Sequence, residues 1–159
     1  MKKFIEITDL KKVFVSGNEE IHAFGPASIS INSGEFVSVL GPSGCGKSTL
    51  MLMIAGLLDS TSGKVEFESK LLKEPKTDIG IMFQENTLVP WRTIKANIEL
   101  QLELRGLEVK DFQNKIFNIL KSVSLDDFAD RYSNELSGGM QQRAAFCQAM
   151  IHDPKIILL

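Results

Sequence analysis

The sequence predicts an α/β fold, and three successive segments carry that prediction. Residues 36–40 form a short apolar run that is typical of a buried strand. A glycine-rich segment follows at 41–48, and residues 49–58 continue as an apolar run that suits a helix. Open α/β sheets place a loop of this kind at the end of a strand. The chain is therefore expected to be an α/β protein built around this unit.

The glycine-rich segment has the pattern of a phosphate-binding loop: a glycine, four free positions, then Gly-Lys-Ser. Small residues let successive backbone N–H groups turn inward around a polyphosphate, and the following helix N-terminus adds partial positive charge. Lys47 is expected to bring a full positive charge to the outer phosphates. The Ser48 hydroxyl is expected to complete the coordination of Mg2+. The loop reads Gly41, Pro42, Ser43, Gly44, Cys45, Gly46, Lys47 and Ser48, followed by Thr49.

Length and composition indicate one soluble domain. The chain has 159 residues, of which 43% are hydrophobic and 24% charged. A formal charge of -2 and a pI near 5.7 give no broad basic surface, which argues against a nucleic-acid partner. The two cysteines, Cys45 and Cys147, are far apart in sequence and suit a reduced, cytosolic chain. The longest apolar run, 50–58, is about half as long as a membrane span requires.

The N-terminal region is expected to contain short antiparallel strands. Apolar runs at 4–10, 13–15, 21–24 and 27–31 are separated by turn-forming residues, including Gly25-Pro26. One aromatic residue, Phe14, could present a flat surface to a purine ring. From the residues alone, packing into the core is the better interpretation of Phe14.

The middle of the chain predicts two more strands and two helices. Residues 64–68 and 79–83 suit strands, and Gln84 stands at the end of the second, where α/β sheets place ligand-contacting groups. Apolar residues alternate through 98–104, which on periodicity alone indicates a strand. Thr93 as a cap and the helix formers between them favour a helix, which is our prediction. A helix is also predicted over 111–123, and the two helices are expected to form a separate lobe.

A third helix is expected to begin after Ser137, with Met140, Ala144, Cys147 and Ile151 on one face. The Ser137 hydroxyl and the amides of the two following glycines make its start a second anion-accepting helix N-terminus. By itself this pattern is common and weak. Residues 156–159 predict the start of a further buried strand.

Taken in order, these motifs resemble the ATP-binding subunit of an ABC transporter over essentially the whole chain. Lys47 and Ser48 lie in the phosphate loop, Gln84 matches the Q-loop, and residues 136–141 match the signature motif of that family. The resemblance implies a P-loop NTPase fold: a RecA-like core sheet, an N-terminal antiparallel β subdomain and an inserted α-helical subdomain, incomplete at the C-terminus. It assigns 1–89 and 137–159 to the core and 90–136 to the helical subdomain.

The resemblance also implies ATP and Mg2+ as cofactors and a role for each matching residue. Phe14 is expected to stack on adenine, while Ser48 and Gln84 are expected to contact Mg2+. Lys47 and Gln84 are the expected catalytic residues. The signature residues are expected to grip the γ-phosphate bound to the opposite subunit. The residues expected to hold ATP are therefore Phe14, Gly41, Pro42, Ser43, Gly44, Cys45, Gly46, Lys47, Ser48, Thr49, Gln84, Ser137, Gly138, Gly139 and Gln141.

Within the family, segment 82–91 is similar to importer subunits for nitrate, sulfonates, taurine or thiamine-precursor pyrimidines. This implies an energy-coupling ATPase on the cytoplasmic face of the cell membrane. Its implied partners are a transmembrane permease, a second copy arranged head to tail and, indirectly, a substrate-binding protein; no nucleic acid is expected. The transported substrate is decided in other subunits.

The sequence departs from the family pattern at several positions. Family members carry an aspartate for Mg2+ and a glutamate as base directly after the strand that here ends at Leu159, and His22 and His152 do not match the switch histidine. We therefore expect a truncated ATPase, with His22 and His152 at the surface. Ser133 replaces a common proline, and Gln148 replaces a usual arginine. Two alternatives are a soluble ABC protein of DNA repair or translation, and a nucleotide-binding module without hydrolysis.

Overall fold

The computed structural model describes residues 3–85 and 87–159, which form two compact units, Met1–Lys76 and Thr77–Leu159. The division into a core and a 90–136 helical subdomain stays a prediction. The first unit contains β1 (Lys3–Ser16), β2 (Glu19–Asn32), α1 (Lys47–Ile54), β3 (Ser62–Phe67) and β4 (Lys70–Leu71). The second contains β5 (Ile79–Ile81), α2 (Ile94–Glu103), α3 (Gln113–Ser122), α4 (Gly138–Met150), β6 (Ile156–Leu158) and 3-10 turns at Val109–Phe112, Asp126–Phe128 and Ser133–Glu135.

The first unit is built on an antiparallel sheet with strand order β2-β1-β3-β4. The predicted antiparallel pairing is confirmed, but the prediction of four short strands in this region is wrong. The residues form two long strands, and Gly25-Pro26 lies inside β2. The β1–β2 register shifts on both sides of Leu10, and Gly25 lies against the Leu10 carbonyl. Glycine and proline here mark an irregularity in paired strands and not a turn between separate strands.

The predicted buried strand at 36–40 is also wrong. Among the described residues this segment pairs with no strand, and Phe36 and Leu40 are 92% and 89% exposed. An apolar run becomes a buried strand only when neighbouring strands bond its backbone and cover its side chains. The sheet of this unit contains β2, β1, β3 and β4, and the segment is not one of its strands. It forms an irregular connection between β2 and the phosphate loop.

The glycine loop passes directly into α1, as predicted, because Gly46 takes a conformation that few other residues adopt. Its φ is +94°, and a Cβ built on it would lie 2.1 Å from the Ala23 carbonyl oxygen of β2. The Gly46 carbonyl accepts a hydrogen bond from the Leu50 backbone N–H at 2.9 Å. Only glycine combines this φ with such a close approach to another backbone. The helix ends at Ile54, four residues before the predicted end at Leu58.

In the second unit, β5 and β6 pair in parallel, which confirms strands near both predicted positions. The Met82 N–H extends the pairing by donating to the Leu158 carbonyl at 2.9 Å. Gly80 packs against α4, because a Cβ there would lie 2.5 Å from the Ala149 carbonyl oxygen. The strand that leads to Gln84 is therefore held against the helix that follows the signature segment.

The helices of this unit pack around one apolar core, and the predicted helix after Thr93 is confirmed. Thr93 caps α2 by accepting a hydrogen bond from the Ala96 N–H at 3.2 Å. Ile94, Ile98 and Leu102 lie one turn apart and are fully buried, whereas Leu104 is 71% exposed. The apolar residues that alternate in the sequence therefore belong to a helix, and only those spaced four apart face the core. The core residues are Leu88, Ile94, Ile98, Leu102, Ile116, Leu120, Leu125, Leu136, Ala144, Cys147 and Ile151.

A buried amide network ties α2 to the loop before it. The fully buried Asn97 side chain accepts a hydrogen bond from the Val89 N–H at 2.6 Å. It donates to the carbonyls of Val89, Arg92 and Thr93 at 3.1, 3.1 and 2.9 Å. The buried Gln148 of α4 then donates to the Asn97 backbone carbonyl at 3.0 Å. Gln148 thus has a structural role in joining α4 to α2.

Within residues 3–85 and 87–159, no helix has both the length and the apolar character needed to cross a membrane.

Gly46→Ala is expected to destabilise the chain more than Gly17→Ala. Both glycines have positive φ, which costs an alanine about 1–2 kcal/mol, but the space around Gly17 is open in the described part of the chain. At Gly46 the overlap with the Ala23 carbonyl should add ~1–3 kcal/mol. Urea unfolding of the two variants measures the difference. Equal losses would contradict the close approach.

Asn97→Ala is expected to lower the free energy of unfolding by about 2–4 kcal/mol, because it removes a buried side chain and leaves partly buried backbone groups of Val89 and Arg92 without that partner. The control is Asn118→Ala on the exposed face of α3, which should change stability by less than ~0.5 kcal/mol. Thermal or urea unfolding checks both. Similar values for the two variants would rule out the buried network as a major contribution.

Candidate functional site

The phosphate loop is closed by the ammonium group of its own lysine. Lys47, the first residue of α1, donates from Nζ to the carbonyl oxygens of Gly41 at 2.8 Å and Pro42 at 2.7 Å. The Cys45 N–H points to the same Pro42 carbonyl at 3.4 Å, and Lys47 Nζ lies 3.6 Å from Cys45 Sγ. The loop therefore wraps around the position of a positive charge.

The loop also leaves space where an anion could lie. Gly44 has a φ of +80°, and a Cβ built on it would meet none of the described atoms within 4 Å. The exposed loop residues Ser43, Gly44 and Cys45 precede the N-terminus of α1, where unpaired N–H groups gather. The next residue after the lysine, Ser48, is exposed and offers a hydroxyl oxygen, a donor that suits Mg2+. This donor set fits a magnesium-bound polyphosphate.

Phe14 belongs to the surface of the first unit and not to its core. It lies on β1 opposite Ile21 and is 42% exposed, so the alternative of plain core packing is wrong. The ammonium group of Lys12 lies over the ring, 5.0 Å from its centroid. An exposed aromatic ring of this kind can stack on a flat ligand.

Gln84 is exposed and stands three residues after the end of β5. Its backbone carbonyl accepts a hydrogen bond from Gln142 Nε2 of α4 at 3.0 Å. The backbone is thereby fixed while the side chain stays accessible. Within the segment 82–91, Asn86 lies outside the described residues.

The signature segment begins α4, as predicted, and Ser137 caps the helix. The Ser137 side chain caps the helix by accepting from the Met140 N–H at 3.4 Å, and the exposed Gly138 and Gly139 have open space around their Cβ positions. Small residues thus leave the amides at this helix end uncovered. Gln141 has a different environment from the one expected of an ATP ligand. Its side chain donates to the carbonyls of Ser133 at 2.6 Å and Leu136 at 3.3 Å.

The turn before the signature segment is held by Glu135. The Tyr132 N–H donates to its carboxylate at 2.7 Å, and Arg131 pairs with it at 3.1 Å. The Tyr132 N–H, followed by Arg131, lowers the pKa of Glu135 below its ordinary value. Together with the Gln141 contacts, this fixes the backbone that leads into Ser137.

The expected site residues divide between the two units. The first unit holds Phe14 and the loop 41–49, whereas the second holds Gln84 and the signature residues. Sequence reasoning missed Lys12, which donates to the Asp59 carbonyl at 2.7 Å, and Gln142, which bonds Gln84. These partners are 47 and 58 residues apart in sequence, so no local pattern could have indicated them.

Burial changes the pKa of two residues outside the expected site, His152 and Cys147. His22 is exposed as expected, but His152 is partly buried, with Nε2 3.2 Å from the Arg105 guanidinium. Burial, and then the charge of Arg105, lower the pKa of His152 to about 4. Burial likewise raises the pKa of the Cys147 thiol to about 11. At neutral pH His152 is uncharged and Cys147 is a thiol.

The proteins that this chain resembles in sequence all belong to one family. The model of the ABC transporter family matches residues 24–159. An uncharacterised ABC transporter ATP-binding protein of Methanocaldococcus jannaschii is 40% identical over 100% of this chain and 60% of its own length. A nitrate import ATP-binding protein of Synechocystis is 39% identical over 98% of this chain and 58% of its own. An aliphatic sulfonates import ATP-binding protein of Bacillus cereus is 37% identical over 98% of this chain and 61% of its own length.

The predicted importer resemblance is confirmed by these relatives, and a taurine import ATP-binding protein of Rhizobium johnstonii, 37% identical over 139 residues, adds to it. The chain spans about 60% of the length of the curated relatives it matches.

A solved structure confirms the predicted P-loop NTPase fold. An ATP-binding cassette described as a dimer in a post-hydrolysis state, bound to ADP and Pi, superimposes with a TM-score of 0.86 at 32% identity. The match covers 96% of this chain and 72% of that one. Fold, motif order and sequence identity agree: the chain belongs to the ABC transporter family.

Proposed function

We propose that the protein binds ATP with Mg2+ and uses its hydrolysis to drive import through a membrane permease. The observation that carries the proposal is the loop 41–48, in which Lys47, the first residue of α1, donates hydrogen bonds to the carbonyls of Gly41 and Pro42. The nitrate, sulfonate and taurine import relatives support the coupling role. The transported substrate itself is proposed to be selected by the other subunits of the importer.

The loop has the groups needed to hold a triphosphate. The Lys47 ammonium now bonds the carbonyls of Gly41 and Pro42, and an entering phosphate would offer it a charged acceptor in their place. The bonds to the carbonyls have a charge on the donor alone, whereas a phosphate adds the attraction between two opposite charges, which favours this exchange. The backbone amides from Gly44 to Ser48 would share the remaining negative charge, and residues Ser43 and Thr49 flank them.

By the family resemblance, Phe14 would stack on adenine, and Ser48 and Gln84 would each offer an oxygen ligand to Mg2+. The bound ion would neutralise charge on the phosphates. The side chain of Gln84 is exposed on a backbone held by Gln142, which supports a role in orienting an attacking water. Phosphoryl transfer depends mainly on such positioning and on charge stabilisation.

Hydrolysis in this family also uses an aspartate and a glutamate, which the resemblance places directly after β6. ATP hydrolysis is proposed for the whole protein.

The signature segment is proposed to act on a second copy. Ser137, Gly138 and Gly139 present uncovered donors at the start of α4, which suits a γ-phosphate held by the loop of an opposed subunit. The dimeric state of the similar cassette supports a pair of subunits. Gln141 is proposed to support this contact by holding the preceding loop. The pair would bind a permease at the cytoplasmic face of the membrane, with a substrate-binding protein as an indirect partner.

Lys47→Met is expected to weaken Mg-ATP binding by about 10- to 100-fold, because it removes the charged donor to the phosphates. Isothermal titration calorimetry measures the dissociation constants. The control is Lys70→Met on the exposed edge strand β4, which should bind as the unmodified protein does. Equal affinity in both variants would refute the proposed phosphate site.

Mg-ATP is expected to protect Cys45 from a thiol reagent such as iodoacetamide. Cys45 is exposed in the loop, whereas the fully buried Cys147, with its raised pKa, should stay unmodified in the native protein. Mass spectrometry of timed samples gives both rates in one experiment. Adenosine, which lacks phosphates, serves as the control ligand. A Cys45 rate that saturating Mg-ATP leaves unchanged would count against this location for the phosphates.

A further inference from the structure

Lys12 makes two contacts that together fix its ammonium group. Nζ donates a hydrogen bond to the Asp59 backbone carbonyl at 2.7 Å. The same atom lies 5.0 Å from the centroid of the Phe14 ring, within the range of a cation–π interaction. An exposed lysine side chain usually moves freely. The hydrogen bond to the Asp59 carbonyl restricts this motion and holds the positive charge over the ring.

The strand around these residues is anchored to the same turn. The Thr61 hydroxyl accepts from the Val13 N–H at 2.9 Å and donates to the Val13 carbonyl at 3.1 Å. The Thr61 N–H donates to the Lys11 carbonyl at 2.8 Å. The segment that contains Asp59 and Thr61 follows α1 directly in the chain. The residues that hold Lys12 beside the Phe14 ring are therefore continuous with the helix that begins at Lys47.

We propose that Lys12 is a positioning residue for the nucleotide base. It holds the Phe14 ring from one side, and the ring is 42% exposed, which leaves surface on which a purine can stack. Because the ring is already fixed before the ligand arrives, less freedom is lost on binding. The cation also draws electron density toward its own side of the ring. This inference rests on the proposed function, since it assumes that ATP binds with its base at Phe14.

The role predicts an effect that depends on the base. Lys12→Met keeps the length of the side chain and removes its charge, so it should weaken Mg-ATP binding by about two- to fivefold. Binding of Mg-tripolyphosphate, which has no base, should not change. Lys12→Arg places another cation over the ring and should restore ATP affinity.

Calorimetry with both ligands tests this, and Lys11→Met is the matched control. In the described residues, the contacts of Lys11 are made by its backbone, so its variant should bind both ligands normally. In a Phe14→Leu background, Lys12→Met should have no further effect on ATP binding. Unfolding curves of each variant accompany the titrations.

Three results would overturn the inference: normal ATP binding by Lys12→Met, an equal loss for tripolyphosphate, or an undiminished effect of Lys12→Met in the Phe14→Leu background. In each of these cases the unmodified protein still binds Mg-ATP and the proposed function stands. If the unmodified protein binds neither ligand, the proposed function and this inference both fail.

Discussion

The phosphate loop depends on one close approach between backbones. Gly46 passes the Ala23 carbonyl of β2 so closely that a Cβ would lie 2.1 Å from its oxygen, and its φ is +94°. This contact fixes where the loop ends and where α1 begins. Lys47 is consequently the first helical residue, and its ammonium turns back to the carbonyls of Gly41 and Pro42. The position of one positive charge is thus set by the sheet.

In the second unit, the buried side-chain amides of Asn97 and Gln148 fix the backbone, as Gly46 does in the first unit. Asn97 bonds four backbone groups of the segment 89–93, and Gln148 joins α4 to the same residue. Satisfied polar groups in a core specify one arrangement, because any other would leave them unpaired. The segment 89–93 and the helix that follows Ser137 are therefore held by the same hydrogen bonds, and α4 also contacts the Gln84 carbonyl through Gln142.

The elements that sequence reasoning identified were those with local causes. Thr93 caps α2 and Ser137 caps α4 through bonds to residues three positions away, so both helices could be predicted. The predicted strand at 36–40 had no such local cause, because whether an apolar segment forms a buried strand depends on partners elsewhere in the chain. For the same reason the side chains that support the site were missed. The contacts of Lys12 with Asp59, and of Gln142 with Gln84, join residues far apart in sequence.

We propose that main-chain amides of the loop, together with Lys47, hold the phosphates of ATP. Backbone amide NMR spectra recorded during a Mg-ATP titration test it most directly, because each amide reports its own environment. The largest chemical-shift changes are expected on the amides of Gly44, Cys45, Gly46, Lys47 and Ser48. Mg-tripolyphosphate should shift the same amide signals. Shifts confined to other parts of the chain, or no shifts at saturating ligand, would rule out this phosphate site.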